Sequence, residues 1–148
     1  MKLSAKERTS LRAMAELARR YGQGPISLSE IAATEGLQLP YLERIAMDLR
    51  KAGLVVSVRG AKGGYYLSRP PETITIGDII RAVEHSVLLI DCAPSKGYDY
   101  CRKTGCAAHR VLAAISERLR EVLDGATLAA IALEQPAITK GNPPCTPE

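Results

Sequence analysis

The sequence predicts a mainly α fold with one small β-hairpin and a separate long helix, and three observations carry that expectation. Apolar residues recur at helical spacing through most of the first 84 positions and again from residue 107. One glycine-rich stretch, "VRGAKGG", is flanked by β-branched and aromatic residues, as in a hairpin. Finally, the chain has no Phe or Trp, so its core must come from Leu, Ile, Val, Ala and a few Tyr, with alanine letting helices approach closely. At 148 residues and 46% hydrophobic content the chain suffices for one ordinary domain, or a small one with an appended helix, and needs no staples.

The first helix is expected from Ser4 to Tyr21. Leu11, Met14, Ala15, Ala18 and Tyr21 share a face, Ser4 stands as N-cap, and Glu7 comes three residues later as in a capping box. Gly22, Gly24 and Pro25 end it. Ser29 then opens a short second helix, "SEIAATEG", with Ile31 inward and Gly36 closing it in the left-handed conformation. Pro40 suits the first turn of a third helix, whose Leu42, Ile45, Leu49 and Ala52 form one apolar stripe down to Gly53. The opposite face, with Tyr41, Glu43, Arg44, Met47, Asp48, Arg50 and Lys51, is left for solvent or a partner. A short helix, a tight glycine turn and a longer helix match the helix-turn-helix, whose second helix enters the DNA major groove; a plain helical bundle has the same pattern.

The segment after the third helix separates those two. Strands are expected at Leu54–Val58 and Tyr65–Leu67, with Arg59 and Lys62 at the tip between them. Such a cationic hairpin directly after the third helix is the wing of a winged helix-turn-helix, able to reach phosphates or a minor groove. The "GAKGG" tip lacks the GK[ST] ending of a phosphate-binding loop and opens no helix. Next, Thr75 and Asp78 stand as N-cap and third residue of a fourth helix, with Ile76, Ile79, Ile80 and Val83 inward; His85 at its end is a favourable charge for the negative pole of the dipole. The long helix "AAHRVLAAISERLREVLDG" ends at Gly125. Its Ala108, Leu112, Ile115, Leu119 and Val122 alternate spacings of four and three, the seam of a two-stranded coiled coil, which points to a homodimer able to read both halves of a palindrome. "TLAAIALE" is a last short helix before a Pro/Gly tail.

Charge is unevenly spread. Residues 1–70 hold 12 Lys/Arg against 6 Asp/Glu, whereas residues 71–148 hold 8 against 10, so the first half is the one suited to a polyanion. The N-terminus has no continuous apolar region, and no later run approaches the ~18 apolar residues of a membrane span, so a cytoplasmic protein without a membrane partner is expected.

Three of the four cysteines and one of the two histidines crowd into "CAPSKGYDYCRKTGCAAH". In a reducing compartment such a group reads as a metal site or redox sensor rather than a disulfide framework. Cys106 and His109, three apart at the start of the long helix, share a face, and helix N-terminal N–H groups favour a thiolate-rich cluster there. Cys92, Cys101, Cys106 and His109 together suit a tetrahedral zinc ion or a [2Fe–2S] cluster, and a metal-free thiol switch is the third possibility. No C-x2-C knuckle of a zinc finger is present, and Cys145 in the tail is a bystander. No nucleophile and base or paired carboxylates stand out, so an enzyme is not expected.

The order "EGLQLPYLERIAMDLRKAGLVVSVRGAKGGYYL", then "TIGDIIRAVE", then three cysteines and a histidine resembles the bacterial winged-helix regulator family that includes IscR, NsrR and CymR. The likeness runs from about Met1 to Leu133. It implies a homodimeric transcription regulator paired through the long helix. It also implies that Cys92, Cys101 and Cys106 are cluster cysteines and His109 the histidine of the IscR branch, where this set holds a [2Fe–2S] cluster. Gln38, Tyr41, Glu43 and Arg44 match base-reading or phosphate-contacting positions, and Arg59 the wing arginine of the minor groove; Arg50, Lys51 and Lys62 complete the expected DNA-binding set. Where the nitric-oxide branch places an N-terminal carboxylate ligand, this chain has Glu7 followed by Arg8. To CymR-like members, which lack the cysteines, the resemblance covers the fold only.

The expected organisation is a DNA-binding domain over 1–84, a cluster-binding loop over 85–108, a dimerisation helix and short C-terminal helix over 109–134, and a tail over 135–148. The expected function is DNA-binding transcription regulation that senses iron–sulfur or redox status through a [2Fe–2S] cluster. A regulator with structural zinc or a thiol switch, and an adaptor that uses the winged helix to bind a partner enzyme, are the alternatives.

Overall fold

In the computed structural model, which describes residues 3–84 and 107–133, the chain enters its first helix through a reciprocal cap. Ser4 Oγ accepts from the Glu7 N–H at 3.1 Å and Glu7 Oε2 accepts from the Ser4 N–H at 2.6 Å, opening α1, Ala5–Arg19. Both oxygen acceptors satisfy N–H groups that the first turn leaves without helical partners. Tyr21, expected on the inward stripe, lies past the helix end and is exposed.

Helix α2 spans Leu28–Glu35, and its cap is Ser27, not Ser29. A cap residue must be extended and must precede the first turn. Ser27 meets both conditions because its neighbour Ile26 is held in an isolated bridge to Tyr65, and its Oγ takes the Glu30 N–H at 3.1 Å. Gly36, at φ 62°, closes α2 in the left-handed conformation as expected. Helix α3, Leu39–Lys51, carries Pro40 in its first turn and buries Leu42, Ile45, Ala46 and Leu49. Ala52, expected to end that stripe, comes after the helix and is exposed. Asp48, expected on the open face, instead pairs with Lys6 of α1 at 2.8 Å.

Strands β1, Val55–Val58, and β2, Gly64–Leu67, pair antiparallel in a register that sets Val55 opposite Leu67 and Val58 opposite Gly64. The first strand starts one residue later than expected because the Leu54 N–H closes the end of α3, bonding Leu49 O at 3.0 Å. The second starts one residue earlier, at a glycine, for a steric reason. Tyr65 and Ile26 exchange N–H···O bonds of 2.8 and 2.9 Å, and a Cβ on Gly64 would overlap the Ile26 carbonyl. The hairpin is thereby pinned to the connection between α1 and α2.

After a 3₁₀ turn at Pro71–Thr73, helix α4, Ile76–Glu84, opens on a second reciprocal cap. Thr75 Oγ1 accepts from the Asp78 N–H at 3.0 Å, and Asp78 Oδ2 accepts from the Thr75 N–H at 3.2 Å. Partial burial disfavours the Asp78 carboxylate, but the Thr75 bonds and the Arg81 guanidinium outweigh it and hold the carboxyl below its ordinary value of 3.8. A group whose folded pKa is depressed contributes stability above its unfolded pKa and loses it as pH falls through the folded one. The stability gap between the native chain and Asp78→Ala, measured by urea denaturation, should therefore be widest near neutrality and close as pH drops below about 4. A gap unchanged at pH 3 would show that the charged form contributes nothing.

Helices α5, Ala107–Gly125, and α6, Leu128–Leu133, complete the described chain. Thr75 and Thr127 form an isolated bridge, Ile76 N–H bonds Ala126 O at 2.9 Å and Leu128 N–H bonds Ile74 O at 2.8 Å. This return seats Leu128, fully buried, among Met14, Ile45, Ile74, Ile79 and Ile80 in the core shared by α1, α3 and α4. Among the described residues no helix is long and apolar enough to cross a membrane. His85, Cys145 and the side chain of Ala108 lie outside the described residues.

Candidate nucleic-acid interface

The basic half of the chain divides into two kinds of cation. On α1, Arg19 and Arg20 reach the buried Glu16 at 3.0 and 2.8 Å, Arg12 and Arg19 reach Glu35 of α2 at 3.1 and 3.2 Å, and Arg20 also pairs with Glu30. Lys6 pairs with Asp48. These charges are spent inside the protein, clamping α2 and α3 onto α1. By contrast, Arg44, Lys51, Arg59 and Lys62 are exposed and form no ion pair or side-chain hydrogen bond among the described residues. Unneutralised positive charge on α3 and the wing is what a phosphate backbone would meet.

The remaining expected contact residues share that surface. Tyr41 and Glu43 are exposed on the first turns of α3, and Gln38, its N-cap, is exposed with its side chain not used in capping. Glu43 can accept from a cytosine amino group, Gln38 can both donate and accept, and exposed Met47 on the same helix offers an apolar contact suited to a thymine methyl. Arg50 differs from the others. Its Nη1 donates to Ser57 Oγ of β1 at 3.2 Å, so it struts the wing against α3 as well as adding charge. That strut, and the Lys6 bond to Asp48, join different elements through tertiary packing, so no spacing pattern reveals them.

Cys92, Cys101 and Cys106 lie outside the described residues, as does the side chain of His109, whose backbone is in the first turn of α5. Among the described residues no group of three or more His, Cys, Asp or Glu could hold a metal ion. Glu7, the carboxylate nearest the N-terminus, is engaged in the α1 cap. On α5 the outward apolar side chains are Val111, Ile115 and Val122, 60%, 47% and 68% exposed, while Ser116 faces inward and Leu123 packs on the core.

A helix-turn-helix whose second helix and adjoining hairpin carry exposed cations in no ion pair among the described residues has the form of a winged-helix DNA-binding protein. Comparison with known proteins narrows the class. The Rrf2 profile, described as iron-dependent transcriptional regulator, matches residues 3–134. The HTH-type transcriptional regulator CymR of Bacillus subtilis is 43% identical over 136 residues, covering 89% of this chain and 90% of that one. The HTH-type transcriptional regulator IscR of Aliivibrio salmonicida is 38% identical over 135 residues, covering 90% and 79%. A solved structure of CymR, the global cysteine regulator of B. subtilis, superposes with a TM-score of 0.76 at 39% identity, covering 91% of this chain and 98% of that chain. The chain belongs to the Rrf2 family of transcriptional regulators, and its relatives are regulators rather than enzymes.

Proposed function

We propose that the protein is a cytoplasmic homodimeric transcription regulator that reads a palindromic operator and senses iron–sulfur or redox status through a [2Fe–2S] cluster. The DNA-reading part rests on one observation: among the described residues Arg44, Lys51, Arg59 and Lys62 of α3 and the wing are exposed and in no ion pair, while Lys6, Arg12, Arg19 and Arg20 at α1 are paired with carboxylates. Arg44, Arg50, Lys51 and Lys62 are assigned to phosphates, Gln38, Tyr41 and Glu43 to the major groove, and Arg59 to the minor groove. The exposed Val111, Ile115 and Val122 support pairing through α5 with a second copy, which would cover them and set two reading heads on one face.

For the sensor, the donor set supplies the fit. Three thiolates and one imidazole satisfy a [2Fe–2S] cluster completely, leaving no open position for a substrate. When bound, the cluster would supply a redox-sensitive bond network to the chain between α4 and α5. The described residues offer a route from there to the DNA. Lys6 Nζ donates to Val83 O, near the end of α4, at 2.7 Å, and the same ammonium pairs with Asp48 of α3, while Ser4 Oγ donates to Glu84 Oε1 at 2.7 Å. Anything that shifts the end of α4 is thereby felt by the DNA-reading helix.

A second reading, a regulator that carries no iron–sulfur cluster, is favoured by a similarity to CymR as strong as that to IscR; a thiol switch or structural zinc would then take the cluster's place. One experiment separates them: purification without oxygen, then an absorption spectrum with iron, zinc, acid-labile sulfide and thiol assays, beside DNA binding measured against salt. Iron and sulfide in equal amounts with visible charge-transfer bands support the cluster. Colourless, iron-free protein that resists reconstitution refutes it, and absence of any salt-sensitive DNA binding would leave an adaptor role instead.

A further inference from the structure

Four charged side chains run in one line from the root of the wing to the outward helix α5. Arg69, two residues beyond β2, gives Nη2 to Asp78 Oδ2 at 3.0 Å and Nε to Thr73 O at 3.3 Å. The other oxygen of Asp78 accepts from Arg81 Nη2 at 2.9 Å, and Arg81 Nη1 pairs with Asp124 Oδ1 at 2.8 Å in the last turn of α5. Gly77 makes room for the last link. A Cβ there would overlap Asp124 Oδ1 and come within 2.9 Å of Arg81 Nη1.

We propose that the chain Arg69–Asp78–Arg81–Asp124, with Gly77 beneath it, fixes the angle between wing and α5, and so the spacing at which two copies present their reading heads to DNA. The proposal rests on the dimeric DNA-binding reading above and assigns these five residues as positioning residues for a two-half-site operator. Isolated surface ion pairs contribute little, because water screens them and long side chains must be ordered. This set differs in that both central members are held at two points, Asp78 by two arginines and Arg81 by two carboxylates. It also links α4 to α5 directionally through side chains. The backbone bonds from Ile76 and Leu128 hold residues 126–128, past the end of α5, and Leu123 contributes only non-directional packing. Among the described residues, attachment of α5 is thus apolar and backbone work, while the charges add directional side-chain links from α5 to α4 and, through Arg69, to the root of the wing, which the Ile26–Tyr65 bridge and the Arg50 strut hold on its other sides.

Two variants break the last link differently. Gly77→Ala keeps every charge and adds one methyl that pushes the Asp124 carboxylate off Arg81; Asp124→Asn keeps the shape and removes the charge. Each would be tested by fluorescence anisotropy on two duplexes: a palindrome recovered by the native protein from a randomised pool, and the same duplex with one half scrambled. Bivalent engagement depends on the geometry of both heads, so affinity for the palindrome should fall roughly fivefold to tenfold while the half-site duplex is unaffected. Sedimentation should report an intact dimer, and the double variant should lose no more than either single one, as expected for a shared link. Equal loss on both duplexes, loss on neither, or additive losses would overturn the positioning role. A native protein that binds both duplexes equally would instead overturn the paired-reader function itself, and the positioning role with it.

Discussion

Purified without oxygen, the Cys101→Ala chain is expected to carry iron and acid-labile sulfide only at background level and to lack visible absorption. The middle cysteine supplies one of three thiolates in the proposed ligand set, and a [2Fe–2S] cluster needs four protein donors. Glu7, the N-terminal carboxylate at the position the nitric-oxide branch uses, is committed to the cap of α1. The variant should still fold and pair, because the core of the described chain is assembled from helices and wing. Unchanged far-UV circular dichroism and an unchanged sedimentation coefficient would check this. Cys145→Ala serves as the control and should retain the native iron content. Full cluster content in Cys101→Ala would remove that cysteine from the ligand set.

Arg59→Ala should weaken operator binding by about 1–3 kcal/mol, roughly fivefold to more than a hundredfold in dissociation constant. Arg59 directly succeeds β1 at the turn of the wing, exposed and without an ion pair among the described residues, so removing it frees no buried partner and costs the fold little. All of the loss should then appear in binding, together with a shallower dependence on salt. Arg59→Lys should recover the salt dependence and only part of the affinity, since an ammonium keeps the charge but not the planar guanidinium that fits a narrow minor groove. Operator affinity that is unchanged in Arg59→Ala would take the residue out of the interface.

Much of the architecture is legible in the sequence because it depends on local chemistry. The caps at Ser4 and Thr75 each need an acid three residues later, so four letters of sequence suffice to place a helix start. Ser27 escapes such a reading because two serines compete for one role, and only the extended backbone imposed by the Ile26–Tyr65 bridge, a pairing between distant segments, favours the earlier one. Asp48 is misplaced for the same kind of reason. Helical periodicity puts it on the open face of α3, whereas Lys6, distant in sequence, claims it. The candidate DNA-reading residues are readable as a surface, but which cations are free is not, since that depends on where the carboxylates of α2 and α3 come to rest.

Sequence was enough to specify the six helices and the hairpin of the described residues, the inward stripe of α4 and that of α3 except for Ala52, the basic surface, and the crowding of cysteines, because periodicity, caps and composition are properties of short windows. It took the folded chain to establish that α6 returns to bury Leu128, that Lys6 spans α1, α3 and α4, and that Arg69, Asp78, Arg81 and Asp124 fall into line. Each of those depends on residues far apart in the chain being brought within bonding distance, and only packing of the whole core specifies such distances.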